Sequence, residues 1–381
     1  MRVAELSAAL ESIAPSHFAE PWDNVGLLAG DPRTSLRGPV LLCLDLTDAV
    51  ADEVVSRRAG AVVVYHPPIF EPIRRLTPQA PHGGALLRVI GAGSVVLSPH
   101  TALDAAPGGL ADWLGDQVAE GPGSSGEAGR RAIAAATVSD PNQSHKIVVF
   151  VPAEPAEALA KVREAMAGAG AGNIGAYSQC SFGLRGEGTF LGGEGANPTV
   201  GQRGRLERVE EVRLEMVCSA TALASVVDAL RRAHPYEEPA FDVYALAPRP
   251  HPAAGAGRLL TLRSPVTPDE IAGRLRTRLK TGVSVGAPPA VAATKRVAVV
   301  PGSGASLLAS ACALGAGVFV TGEMKHHDLL AANENNCAVV LLGHGESERP
   351  YLPILAQRLA KACPGIVIEV AKADRPMLRS V

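Results

Sequence analysis

Three separated stretches of this chain close an apolar run with side chains that bind metal ions: Tyr65-His66-Pro67, His100-Thr101-Ala102-Leu103-Asp104 and His344-Gly345-Glu346-Ser347-Glu348. The pairs His100/Asp104 and His344/Glu348, both spaced i,i+4, offer two imidazoles and two carboxylates, and His66 adds a third imidazole. Imidazole nitrogen and carboxylate oxygen suit zinc, iron and manganese, and a carboxylate can bridge two such ions. The pattern therefore points to a mono- or dinuclear divalent metal site, with zinc the first choice. A single histidine after a strand is more often a hydrogen-bonded structural residue than a ligand, so the reading rests on the constellation.

The runs that carry these residues are Val62-Val63-Val64, Val95-Val96-Leu97 and Val339-Val340-Leu341-Leu342. Short β-branched or Leu runs of this kind form buried parallel strands. Ligands just beyond three such strands are expected to meet at one edge of a sheet, where open α/β folds bind their ligands.

The surrounding pattern supports that placement. Up to about residue 116 helix and strand alternate: helix Arg2 to Ile13, a loop over Glu20 to Leu28, strand Val40 to Leu44, helix Ala49 to Arg58, strand Ala61 to Val64, helix Gly83 to Ala92 and strand Ser94 to Leu97. Such alternation implies a mostly parallel sheet with helices on its faces. Residues 117 to 130, with the run Gly121 to Gly126, read as a flexible linker.

The periodicity then restarts. Strand Lys146 to Val151, helix Pro155 to Ala167, weaker strands near Ala176 to Phe182 and Gly186 to Leu191, strand Arg213 to Cys218, helix Thr221 to Ala233 and strand Phe241 to Ala245 give a ferredoxin-like β-α-β-β-α-β order. The Pro-rich stretch Ala247 to Gly255 leads to a third segment. There helix Thr267 to Leu279, strand Arg296 to Val300, helix Ala305 to Leu314, strand Val318 to Thr321, helix Met324 to Asn333, strand Val339 to Leu342, helix Ser347 to Ala362 and strand Val367 to Val370 repeat the α/β pattern of the first. The economical parse is an α/β protein: a discontinuous three-layer αβα metal-binding domain, residues 1–125 and 256–381, with an inserted ferredoxin-like α+β domain at 140–250.

Composition narrows the function classes. With 36 basic and 38 acidic residues the net charge is −2, so no global field favours nucleic acid or an anionic membrane. The local basic run Gln202 to Arg208 is interleaved with acid and reads as a solvated hairpin. Apolar runs stay well short of the roughly 18 residues that span a bilayer, and no secretion signal is evident. Six cysteines without a C-x-x-C pair argue for the reducing cytoplasm and against thiolate zinc sites.

At its motifs the chain resembles the Nif-three-like dinuclear metal-centre family, whose members are also called GTP cyclohydrolase 1 type 2 homologues. The matching segments are Trp22-Asp23-Asn24-Val25-Gly26-Leu27, Tyr65 to Phe70, His100 to Asp104 with Gly108-Gly109, Gly302-Ser303-Gly304, Thr321-Gly322-Glu323, and Gly343-His344 with Ser347-Glu348. The middle segment, ending in His234-Pro235-Tyr236-Glu237-Glu238-Pro239, is similar to the CutA- or PII-like insert of longer members. The resemblance implies a toroidal homohexamer, two metals per subunit facing an internal cavity, and a metal-dependent hydrolase activity. One departure stands out: many members carry His-His-Pro where this chain has Tyr65-His66-Pro67. A phenol can ligate Fe³⁺ as phenolate or simply donate a hydrogen bond, and an ordinary pKa of about 10 favours the donor role.

The expected ligands are thus His66, His100, Asp104, His344 and Glu348, with Tyr65 behind them as donor or weak ligand. Glu323 and His327, read as one helical turn apart, suggest a near-site carboxylate acting as acceptor or general base and an imidazole within reach of substrate. Asp23 and Asn24, in the loop before Gly26, are candidates for hydrogen-bonding metal-bound water or substrate, Asn24 for binding substrate, with an Asx-type turn as the alternative. Gly302-Ser303-Gly304 lacks the Lys-Ser/Thr of a phosphate loop and reads better as a tight strand-to-helix turn. The function expected is hydrolysis of a small-molecule nucleotide or phosphoester, with a non-catalytic metal-storage, metallochaperone or regulatory protein as the rival.

Overall fold

The computed structural model describes residues 1–80, 83–119, 127–288 and 293–377. These divide into two compact units, Met1–Ala136 with His251–Val381, and Thr137–Pro250.

The first half of unit one runs α1 (Val3–Ile13), β1 (Gly26–Ala29), β2 (Val40–Cys43), α2 (Asp48–Ser56), β3 (Ala61–Val64), α3 (Gly83–Gly91), β4 (Val95–Ser98), α4 (His100–Ala105), α5 (Leu110–Val118) and β5 (Glu127–Val138). Helix α1 exists because Val3, Leu6, Leu10 and Ile13 form one apolar stripe, all of it buried. Helix α2 starts where the Thr47 hydroxyl accepts the Val50 N–H. Strands β2 to β4 are buried at every position, as their unbroken apolar character requires.

Unit two comprises β6 (His145–Pro152), α6 (Ala156–Gly168), β7 (Phe182–Leu191), β8 (Leu206–Cys218), α7 (Leu223–Ala233) and β9 (Phe241–Ala245). Its antiparallel sheet has the order β7-β8-β6-β9, the ferredoxin-like arrangement. The two weak strands expected over 176–191 are one strand, β7, and the run Gln202 to Arg208 lies in and just after the loop joining it to β8.

Unit one resumes with β10 (Arg249–Val266), α8 (Pro268–Leu279), β11 (Ser284–Gly286), β12 (Thr294–Ser303), α9 (Leu308–Ala313), β13 (Val318–Glu323), α10 (His326–Glu334), β14 (Ala338–Leu341), α11 (His344–Glu348), α12 (Leu352–Ala362) and β15 (Ile368–Val370). Helix α8 opens with a reciprocal capping box between Thr267 and Glu270 and with proline at its first turn.

Unit one holds two sheets. The first has the order β1-β4-β3-β2-β15 and is parallel except for its edge strand β1. One face packs on α1 and α12 through Leu6, Leu10, Leu355 and Leu359, the other on α2 and α3 through Val50, Val54, Leu86 and Val89. The second has the order β11-β14-β13-β12-β10-β5, with β12, β13 and β14 parallel, and it too is covered on both faces. Each sheet is therefore the middle of an αβα sandwich. The halves of the sequence are interlaced, because β15 completes the first sheet and β5 lies in the second.

Three sequence expectations change. The strands carrying the histidines do not share a sheet: β3 and β4 belong to the first and β14 to the second, so the site gathers residues from two sheets. The linker expected over 117–130 is shorter, since α5 reaches Val118 and β5 starts at Glu127, while the run Gly121 to Gly126 lies outside the described residues. The Pro-rich stretch 247–255 largely belongs to strand β10, in which positive-φ Gly255 brings the backbone against Ala134 of the neighbouring β5.

Candidate metal centre

Strand β3 delivers Tyr65 and His66, β4 runs into α4 with His100 and Asp104, and β14 runs into α11 with His344 and Glu348. Across the two sheets His66 and His344 approach with ring centroids 5.3 Å apart. His66, His344 and Glu348 each offer a ligand atom within 4.8 Å of the others. His66 Nε2 lies 3.3 Å from Glu348 Oε2, and His344 Nε2 lies 3.4 Å from Oε1 of the same carboxylate. The His100 ring adjoins this group, 5.5 Å from that of His66.

Each of the three imidazoles is held from behind. His66 Nδ1 bonds Asp45 at 2.8 Å, His100 Nδ1 bonds Asp23 at 2.8 Å, and His344 Nδ1 bonds Glu323 at 2.9 Å. With Nδ1–H donating to a carboxylate, Nε2 is the nitrogen left free once a ring is neutral, the tautomer that metal-ligating histidines adopt.

Glu348 is buried, and its Oε2 has no well-formed hydrogen bond. A buried carboxylate oxygen left without a proton to accept is costly, and a cation between it and two imidazole nitrogens would satisfy it. Room for the carboxylate comes from Gly302, at φ +61°, where a Cβ would sit 2.4 Å from Glu348 Oε1. The residues present therefore fit a divalent ion bound by nitrogen and oxygen.

The electrostatics agree. Burial works against a charged His66, yet its hydrogen bond to Asp45 and the adjacent Glu348 carboxylate lift its pKa to about 10. The hydrogen bond to Glu348 lifts His344 to about 9, and burial only partly offsets it. Without a metal, two protons occupy the place of positive charge.

The other side of the site differs. Asp104 is driven up to about 7 by burial, although the Tyr65 hydroxyl donates to its Oδ1 and favours the carboxylate. Tyr65 is itself buried, which pushes its phenol well above the ordinary range. It stands as a neutral donor occupying one Asp104 oxygen.

The remaining expected residues fall in different places. Glu323 reaches the site through His344, but it closes strand β13 while α10 begins at His326. Glu323 and His327 are therefore not neighbours on one helix turn, and His327 is exposed with its ring 5.9 Å from that of His326. The Asn24 side-chain amide donates to the Ile69 carbonyl at 2.6 Å, tying its loop to the segment after β3. The backbone N–H groups of Gly302 and Gly304 are taken by Ser347 and Thr321, so this turn packs β12 against α11 and β13.

Asp45 was not singled out in the sequence. Its signal is the one that marked the histidines, a ligand-type side chain immediately after the apolar run Val40 to Leu44.

Fold and site together define an α/β protein whose larger unit holds two sheets and carries a candidate His/His/Glu metal group. The family model described as Duf34/NIF3 (NGG1p interacting factor 3) matches residues 1–376, and the chain belongs to this family. A GTP cyclohydrolase 1 type 2 homolog of Mycobacterium tuberculosis is 37% identical over 358 residues, covering 92% of this chain and 89% of that protein. Among solved structures, a Bacillus cereus protein related to NIF3 is 30% identical with a TM-score of 0.66, covering 100% of this chain and 99% of that one. Staphylococcus aureus protein SA1388 shares the fold, with a TM-score of 0.77 at 24% identity and the same coverage.

Proposed function

We infer that this protein is a divalent-metal-dependent hydrolase acting on a phosphoester or C–N bond of a nucleotide-like substrate. The observation that carries the reading is the pair His66 and His344, each held at Nδ1 by a carboxylate, on a buried Glu348 with an unsatisfied oxygen, with His100 held the same way beside His66. The name of the relatives, GTP cyclohydrolase 1 type 2 homolog, supports a nucleotide as substrate.

His66, His344 and Glu348 would hold one ion, and His100 and Asp104, sharing Glu348, a second. When bound, a divalent cation supplies Lewis acidity and lowers the pKa of water from 15.7 toward about 7. Asp45, Asp23 and Glu323 fix the ring orientations, so Glu323 is a positioning residue rather than a free base. The Tyr65 hydroxyl donates to Asp104 Oδ1, which occupies that oxygen and weakens the carboxylate as a ligand. This favours one tight and one weaker ion, with zinc first and iron or manganese also suited to the donors.

Family membership supports the homohexamer as the assembly of this reading. Six free cysteines support a cytoplasmic location, and among the described residues no helix is long and apolar enough to cross a membrane.

The test is turnover. Zinc-loaded protein should hydrolyse members of a nucleotide and phosphoester panel at least about a hundredfold faster than a His344→Ala variant. Equal rates would sink the hydrolase reading and leave metal storage, delivery or regulation.

A further inference from the structure

Beside the metal centre two large aromatic side chains stand in solvent. Trp22 is 58% exposed and Phe70 48%, with ring centroids 5.7 Å apart. Both flank a candidate ligand, their centroids lying 6.2 and 6.4 Å from that of His100. Scattered exposed apolar residues need no explanation. This pair is different, because the backbone beside each ring is fastened down.

Asp23, next to Trp22, has a fully buried side chain that accepts from His100 Nδ1 and from the Thr101 backbone N–H and hydroxyl. The Glu20 N–H donates to Thr101 Oγ1 at 3.0 Å. Asn24 donates to the carbonyl of Ile69, the neighbour of Phe70. The bonds that orient His100 thus also anchor the backbone beside Trp22, and the Asn24–Ile69 bond ties the segment that carries Phe70 to the same loop.

The polar groups here argue for what the rings receive. Asp23, Asp45, Asp104, Glu323 and Glu348 outnumber the three imidazoles, so the site repels an anionic group until cations are bound. An uncharged flat ring meets no such barrier, and aromatic side chains stack any nucleobase on its π-face.

We propose that Trp22 and Phe70 form an aromatic rim that holds a planar heterocycle of nucleobase type against the metal centre. The inference rests on the hydrolase reading only for which bond is then cleaved; binding of the ring is measured without turnover.

The full chain, zinc-loaded, is titrated with guanosine 5′-monophosphate and with ribose 5-phosphate while tryptophan fluorescence is recorded, in a Trp113→Phe background so that Trp22 alone reports. The nucleotide should quench saturably and ribose 5-phosphate should not. In calorimetry, Trp22→Leu and Phe70→Leu should each weaken nucleotide binding roughly ten- to hundredfold, while Trp22→Phe keeps most of it. Zinc content and melting temperature serve as controls and should not change, since both side chains are exposed.

Equal binding of ribose 5-phosphate would overturn the proposal. So would unchanged nucleotide binding in Trp22→Leu, including the case where that variant alters sedimentation and reveals the pair as a subunit contact. Base-selective binding without hydrolysis would leave the rim standing and refute the hydrolase reading; hydrolysis indifferent to the base would do the reverse.

Discussion

Metal uptake by the metal-free protein should expel close to two protons per ion near neutral pH. The pKa values of about 10 for His66 and about 9 for His344 mean that both rings are charged at about pH 7.5. A ring can bind metal only through a proton-free nitrogen, so both protons must leave. The sign follows from the upward shift: protons compete more strongly as pH falls, and the competition fades as pH rises through 9 to 10. With ordinary imidazoles the release at that pH would be only about 0.2 proton. Two protons also fix the slope of affinity, roughly a hundredfold per pH unit, or about 2.7 kcal/mol. Calorimetric titration with zinc in buffers of different ionisation enthalpy counts the protons directly. Release below about half a proton, or an affinity flat between about pH 6.5 and 8.5, would refute the claim that Glu348 and its two imidazoles form a protonated stand-in for the metal.

Other perturbations separate the parts of the structure. Tyr65→His should raise zinc bound after dialysis toward two per chain by elemental analysis, because it frees an Asp104 oxygen and adds an imidazole; two tightly held ions in the unmodified protein would contradict the donor role. Arg258 is buried and donates to Asp112 and to the carbonyls of Ala105 and Ala106, where α4 ends. Arg258→Met should therefore cost about 3–5 kcal/mol in urea denaturation, and a loss under about 1 kcal/mol would show that these groups find other partners. Replacing Thr137–Pro250 by a short Gly/Ser turn should leave a folded unit that still binds zinc, since the strands it joins, β5 and β10, are neighbours in one sheet. Loss of both folding and zinc would show that unit one depends on unit two.

What the sequence disclosed depended on how local the signal was. Val62 to Val64 and Val95 to Leu97 read as buried strands because nothing polar interrupts them, and the residues just beyond them were marked for that reason. Strand β10 was hidden because prolines at 250 and 252 and glycines at 255 and 257 mimic a linker, and only pairing across the sheet makes such a segment a strand. Helices α4 and α5 were hidden by the Ala- and Gly-rich run 102–109, whose helical stretch is fixed by Arg258 from more than 150 residues away. Glu323 and His327 misled because i,i+4 spacing signals contact only inside one helix, and here a strand ends between them. Asp45 was harder still, since its role is set by a hydrogen bond to a ring brought from another strand.

The interlacing of the two sheets bears on how the protein is made. Strand β2 lies beside β15, so the edge formed by Val40 to Cys43 finds its partner only when the segment from Ile368 emerges, some 325 residues later (positions 43 to 368). At roughly 5–20 residues per second that interval is on the order of 16 to 65 seconds of synthesis. Throughout it a fully apolar strand edge stays open to pairing with other chains. His66 and His100 likewise wait for His344 and Glu348, so a nascent chain can neither close its first sheet nor assemble its His/His/Glu group until the segments from His344 to Val370 have emerged.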